Sequence, residues 1–156
     1  MKALTLKQPW AWAIAHAGKD VENRTWRPSE SMIGVPFAIH AGLARDRGVF
    51  MPRGESPPLF LDQGAVVAVA TLKGYVHVDK PLHRIFFTDS QGMLTMADMQ
   101  NVIRSMWAIG PICWSLTDVV ALPHPVPCKG RQGLWDLPPD VLEEVLAQVA
   151  EVKAGR

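Results

Sequence analysis

The chain has 156 residues, the length of one ordinary domain, and 48 % of them are hydrophobic against 20 % charged. That balance excludes a disordered chain and is enough for a sizeable core. The formal net charge is only +1, so the total excludes a strongly basic nucleic-acid binder and requires any anion site to be local.

In chain order, "KALTLK" alternates as a short strand does, and "QPWAWAIAHAG" reads as a helix opened by Pro9 and closed by Gly18. "VENRTW" follows as a strand with Glu22, Arg24 and Trp26 on one side and Val21, Asn23 and Thr25 on the other. "GVPFAIHAG" is a second, apolar strand. Residues 51–64, with three prolines and two glycines, form a surface loop. "AVVAVATLKGYVHV" is the strongest strand signal, β-branched and nearly continuous. Residues 79–92 read as irregular. "MADMQNVIRSMW" reads as a helix with Met96, Met99, Ile103 and Met106 on its apolar stripe. "ICWSLTDVVAL" is a further strand, "PHPVPCKGRQG" is too rich in proline and glycine to be regular, and "LWDLP" resumes extended structure. A helix over about 139–151 closes the chain, with Val141, Leu142, Val145, Leu146 and Val149 inward and Asp140, Glu143 and Glu144 near its N-terminus. Five or six strands with interspersed helices imply an α+β class built on a small curled sheet, in one domain spanning 1–156.

Charge is unevenly placed. Residues 1–60 carry eight Lys/Arg against five Asp/Glu, and residues 131–156 carry three against five. Cys113 and Cys128 form no CxxC pair, and no HxxxH or HxH occurs, so no metal centre is expected. There is no apolar leader and no apolar run of about 18 residues. These features predict a soluble cytoplasmic protein with reduced thiols and no membrane partner. The glycine-rich phosphate loops and the GxSxG nucleophile elbow are missing, which disfavours ATP, dinucleotide and serine-hydrolase chemistry.

Two stretches carry candidate chemistry. "GKDVENRTW" places Lys19, Glu22, Arg24 and Trp26 within one turn and strand. On a strand, Glu22 and Arg24 lie about 7 Å apart on one face. Joined by Lys19 from the turn, they make a mixed-sign edge able to hold an anion and read a polar group, with Trp26 as a stacking surface. The same residues also fit a self-neutralising ion pair beside a core tryptophan. "CKGRQGLW" frees its backbone with Gly130 and Gly133 and adds Lys129 and Arg131, a composition that suits a phosphate contact or a solvated basic turn.

The segment "LTLKQPWAWAIAHAGKDVENRTW" resembles the start of ASCH domains, whose pattern is a strand, QPWA on a helix, then G-K-x-x-E-x-R and an aromatic. Gln8-Pro9-Trp10-Ala11, Gly18-Lys19, Glu22, Arg24 and Trp26 stand at those positions, and the closing "GLWDLP" also fits. The resemblance covers about residues 3–138. It implies a PUA-like curled β-barrel of five or six strands with flanking helices, and a cleft lined by Lys19, Glu22 and Arg24.

The function it implies is binding of RNA or another single-stranded nucleic acid. Lys19, Arg24, Lys129 and Arg131 would contact phosphate, Glu22 a base edge, and Trp26 would stack. An alternative is an enzyme of the same cleft with Lys19 and Glu22 catalytic, either a ribonuclease or a nucleoside-directed amidohydrolase. No cofactor is expected, apart from a divalent metal in the ribonuclease case. The N4-acetylcytidine amidohydrolases of the family are a poor match. They carry threonine where this chain has Glu22, and a glutamate on the central strand, where "AVVAVATLKGYV" has no acid. A reader of a modified nucleotide, without polymer binding, is the remaining alternative.

Overall fold

The structure is a computed structural model and describes residues 1–49, 51–52, 54–79, 84–86 and 94–155. The elements are β1 (Lys2–Gln8), α1 (Trp10–His16), β2 (Val21–Arg24), β3 (Pro36–Arg45), β4 (Ala65–Asp79), β5 (Arg84–Phe86), α2 (Met96–Arg104), β6 (Ile112–Pro127), β7 (Leu134–Asp136) and α3 (Pro139–Ala154). The α+β class read from the sequence is the one observed. The chain divides into two compact units, one of Met1–Gly18, Pro36–Ala70 and Asp118–Arg156, the other of Lys19–Val35 and Thr71–Thr117. No helix among the described residues is long and apolar enough to cross a membrane.

In the first unit the strands run in the order β6-β4-β3-β1-β7. β1 and β3 are parallel, with Ala3 opposite Ala38 and Leu4 opposite Ile39, and β7 is antiparallel to β1, with Trp135 opposite Ala3. The small Ala3 and Ala38 share a core cluster with the large Trp135. Trp135, Val66, Val69, Leu122 and Val126 form one core cluster with Val141 and Val145 of α3. α3 runs three residues past its expected end. Its inward face is Val141, Val145 and Gln148, flanked by the partly buried Leu142 and Val149, whereas Leu146 is exposed. Gln148 is satisfied by accepting from the His124 N–H at 3.0 Å and donating to Glu144 at 2.9 Å.

α1 starts at Trp10 with Pro9 as its flanking residue, and Pro9 makes no side-chain cap. Gln8 does that work instead. It is buried, its Oε1 accepts from Trp12 N at 3.0 Å, and its Nε2 donates to the Asp62 carbonyl at 2.7 Å. The helix closes as expected into Gly18, whose φ of 65° is the left-handed conformation that glycine adopts without steric cost.

The second unit runs β2-β6-β4, with β5 antiparallel to β4. β5 corrects the irregular reading of residues 79–92, of which 80–83 and 87–92 lie outside the described residues. α2 forms as expected, but its apolar stripe is not the methionine one. Val102 is the buried residue, while Met96 and Met106 are 61 % and 52 % exposed. Met106 lies beyond the helix end at Arg104, so helical spacing does not carry it inward. α2 opens with a capping box between Thr95 and Asp98, a motif that satisfies orphan N–H groups at a helix start.

β6 also departs from expectation, because it continues through "PHPVP" to Pro127. Pro123, Pro125 and Pro127 alternate, so in extended backbone their missing donors all fall on one edge and the other edge keeps its own. The loop expected over 51–64 contains no helix or strand among its described residues.

Candidate functional site

β2 is positioned by its antiparallel register with β6, in which Val21 faces Ser115, Glu22 faces Trp114, Asn23 faces Cys113 and Arg24 faces Ile112. The strand is shorter than expected. Trp26 has left it, and its carbonyl accepts from Trp114 Nε1 at 3.3 Å instead of joining a ladder. Asn23 anchors the opposite face: its Nδ2 donates to the Trp107 carbonyl at 2.8 Å, and its Oδ1 accepts from the N–H groups of Ile109 and Gly110 at 2.7 and 3.0 Å.

The expected trio comes together. Lys19 Nζ lies 2.8 Å from Glu22 Oε2 and also donates to the Val21 carbonyl. Glu22 Oε1 lies 3.7 Å from Arg24 Nη1, longer than a hydrogen bond. Lys19 and Glu22 are withdrawn from solvent, with side chains 3 % and 9 % exposed, whereas Arg24 keeps 24 %. The Arg24 guanidinium lies over the Trp26 ring, 5.3 Å from its centroid, within cation–π range. Trp26 in turn meets the fully buried Trp114 edge-on, with centroids 4.8 Å apart. The order from inside to outside is therefore Lys19, Glu22, Arg24. The ammonium fixes one carboxylate oxygen, and the other faces the accessible guanidinium. Trp114 was not among the residues singled out from sequence. Its role becomes visible only through the β2–β6 register.

Asp20, also in the charged run, has a different use. Its Oδ1 accepts from Ser105 Oγ at 2.6 Å, and its backbone carbonyl accepts from Leu116 N at 2.8 Å. With Lys73, Asp98, Asn101, Ser115 and Thr117 it lines a polar cavity of about 180 Å³. Lys73 Nζ lies 2.6 Å from Asp98 Oδ1, and this bond, with those from Thr95, lowers the Asp98 carboxyl to about 2. Val21 lines this cavity, and Glu22, the next residue along the strand, points to the other face.

Lys129 and Arg131 belong to the first unit and are exposed, in the loop between β6 and β7. The loop is held from beneath by His40, which is 1 % exposed and lies edge-on to Trp135 with centroids 5.5 Å apart. His40 Nε2 donates to the Cys128 carbonyl at 3.0 Å, which leaves Nδ1 buried and without a hydrogen-bond partner. Burial lowers the pKa of His40, and the bond to Cys128 opposes that in part. Burial also pushes the Cys128 thiol up. Trp135 Nε1 donates to Thr5 Oγ1 at 3.1 Å. His16 is exposed and lies against Trp12.

No family model matches the sequence, and no curated protein matches it. Solved structures do resemble it in fold. The crystal structure of ASCH from Zymomonas mobilis superposes with a TM-score of 0.51 at 16 % identity, covering 94 % of this chain and 93 % of that one. A tyrosine-to-phenylalanine variant of the Zymomonas mobilis protein gives the same TM-score and identity, covering 94 % and 96 %. Identity this low speaks to architecture alone, and with the α+β elements in place it gives the conclusion that this chain has an ASCH-like fold.

Proposed function

We propose that the chain binds nucleic acid, RNA or another single strand, through the edge formed by Lys19, Glu22, Arg24 and Trp26. The observation that carries this reading is the layered charge. A desolvated Lys19–Glu22 pair lies behind a partly exposed Arg24 stacked on Trp26. A buried ion pair is poor value as a stabiliser, since a well-packed apolar pair serves as well or better. Its use here is to hold a carboxylate oxygen in a fixed position beside an accessible cation.

In this reading Arg24 contacts phosphate, Trp26 offers a stacking surface, and Glu22 Oε1 accepts from a base amine. Lys19 is too deeply buried for a phosphate contact and orients Glu22. Lys129 and Arg131, exposed on a loop of the other unit, are taken by themselves as candidates for sequence-independent phosphate contacts. The ASCH-like fold supports the reading as an analogy of architecture.

The test is fluorescence anisotropy with labelled single-stranded RNA and DNA oligomers across a salt series. Wild type binds with a negative salt slope. Arg24→Ala weakens binding about tenfold and flattens the slope by about 0.7, the contribution of one phosphate on a single strand. Glu22→Gln changes the preference among bases. A protein that binds no oligomer at low salt overturns the proposal, and a flat slope with mononucleotide binding replaces it with a nucleotide reader. Running the same mixtures on a denaturing gel, with and without divalent metal, reads out cleavage by an enzyme of the same edge.

A further inference from the structure

The polar cavity of the second unit plays no part in the edge that carries Glu22 and Arg24, because it opens on the other face of β2. Local periodicity builds it. Asp98, Asn101 and Val102 stand at i, i+3 and i+4 of α2, which puts them on one helix face. Ser115 and Thr117 are two apart on β6, and Ser115 stands opposite Val21 in the register. Lys73 enters from β4. The buried Val21 and Val102 supply the apolar part of the lining.

Several polar groups around it have no partner in the protein. Asp20 Oδ1 accepts from Ser105, whereas Oδ2 is unpaired among the described residues. The side chains of Asn101, Ser115 and Thr117 are unpaired there too. Lys73 gives one N–H to Asp98, and an ammonium has three. The lining therefore offers an anionic acceptor, a cationic donor, and an amide and two hydroxyls that both donate and accept.

This set selects among ligands. A divalent cation wants several free carboxylate oxygens, and Lys73 and Thr95 already occupy both oxygens of Asp98. An anion would meet the Asp20 carboxylate, while the charge of Lys73 is matched by Asp98 at 2.6 Å. A hydrocarbon would strip water from the polar groups and leave them unpaired. A neutral ring with hydroxyls on adjacent carbons suits them, because each hydroxyl donates to an acceptor and accepts from a donor. The volume of about 180 Å³ equals about six waters at ~30 Å³ each, room for one sugar ring but not for a whole nucleotide.

We propose that this cavity binds a single ribose-type sugar ring through vicinal hydroxyls, one donating to Asp20 and its neighbour pairing with Asn101 and Thr117. The ribose is free or belongs to RNA. Where it belongs to a strand, the inference rests on the nucleic-acid reading above and extends it to a preference for RNA over DNA.

Amide correlation NMR of the full chain tests it with methyl β-ribofuranoside, which has no base to stack on Trp26 and no phosphate for Arg24. Wild type binds the riboside with a Kd of about 1 mM, the affinity of a few hydrogen bonds in an open site, and the shifts cluster at Asp20, Asn101, Ser115 and Thr117. The 2-deoxy analogue binds about tenfold more weakly, for want of one hydroxyl. Asp20→Asn keeps an acceptor for Ser105 and removes the carboxylate charge, and Thr117→Val removes a hydroxyl at nearly constant shape. Each weakens riboside binding by about fivefold or more, with the rest of the spectrum unchanged. No shift at these positions up to about 50 mM, well above the expected Kd, overturns the proposal. So do equal affinities for the two ribosides, the same shifts with inorganic phosphate, or full binding in both variants. The riboside comparison needs wild type alone, so it holds whatever the variants do to folding.

Fluorescence anisotropy separates the two sources. An RNA oligomer that binds more tightly than its deoxyribose counterpart, with the gap closed by Thr117→Val, places a strand's ribose in the cavity. Equal binding of the two polymers by a protein that binds the riboside makes a free sugar the ligand. Loss of all oligomer binding would remove the strand reading and leave the riboside result standing.

Discussion

Gly130 lies so close to His40 that a side chain at position 130 has nowhere to go: a Cβ there would stand 2.5 Å from His40 Cε1, 2.7 Å from Nδ1 and 2.9 Å from Thr5 Oγ1. The loop carrying Lys129 and Arg131 is therefore seated by the absence of a side chain, on a buried imidazole.

Gly130→Ala is expected to cost about 1–3 kcal/mol, the range for overpacking a closed site. Urea denaturation measures it. In a His40→Ala background the same substitution costs less, because the obstructing ring is gone, and the two changes are non-additive. Equal costs in both backgrounds would mean that the ring does not seat the loop.

His40 also makes stability depend on pH. Its folded pKa lies below the ordinary value of 6.5, so below about that pH the unfolded chain binds a proton that the folded chain refuses. Stability contributed by the neutral ring is complete above 6.5 and declines as pH falls toward the folded pKa. Denaturation midpoints measured between pH 7.5 and 5 should fall with acidity in wild type, and the fall should be smaller in His40→Asn.

Asp98 governs a more acidic window. Its carboxyl is held at about 2, against 3.8 ordinarily, first by Lys73 and then by Thr95. Here the stabilised form is the charged one, present above 3.8 and lost as pH falls toward 2. Lys73→Met removes the largest cause, and the acid transition of α2, followed by helical circular dichroism, should begin at a higher pH.

Breaking the Lys19–Glu22 pair is expected to be expensive even though the pair itself is a poor stabiliser. Lys19→Met strands a carboxylate that is 9 % exposed and should cost about 3–5 kcal/mol. Lys19→Met combined with Glu22→Leu should cost far less than the two separate losses added together. A double-mutant cycle by chemical denaturation reads the coupling, and additive losses would show that the two groups do not depend on one another.

Trp135 should be the most sensitive single aromatic of the first unit. It is 6 % exposed, packs in the cluster with Val141 and Val145, and donates to Thr5. Trp135→Ala is expected to destabilise by about 3–5 kcal/mol by thermal or urea unfolding. An alanine variant that melts like wild type would remove β7 from the core.

Much of this was legible in the sequence because local rules and tertiary environment agree there. Gly18 ends α1 as its left-handed φ requires, the β-branched run of β4 is a strand, and the two-residue spacing of Glu22 and Arg24 puts them on one face. Where the reading failed, a nonlocal partner or an end effect prevailed. The prolines of β6 discourage a strand locally, but their alternation confines the lost donors to one edge. The methionines of α2 suggest a stripe, but Val102 is the residue that is buried. Asn23 reads as an ordinary strand residue, and its bonds go to residues 107–110, which no local pattern reveals.

Gln8 bridges α1 and the Asp62 carbonyl from a position that is 1 % exposed. Burial there turns a question of volume into one of atom type. Glutamate has the same shape, yet it would set an oxygen against the Asp62 oxygen with no water between them. Methionine or leucine would fill the space and leave both the carbonyl and the Trp12 N–H unsatisfied, and lysine could serve only the carbonyl. Asparagine has the right atoms on a stem one methylene too short. Position 8 thus admits a single member of a set of near-isosteres, which is why a polar amide is buried at the end of β1.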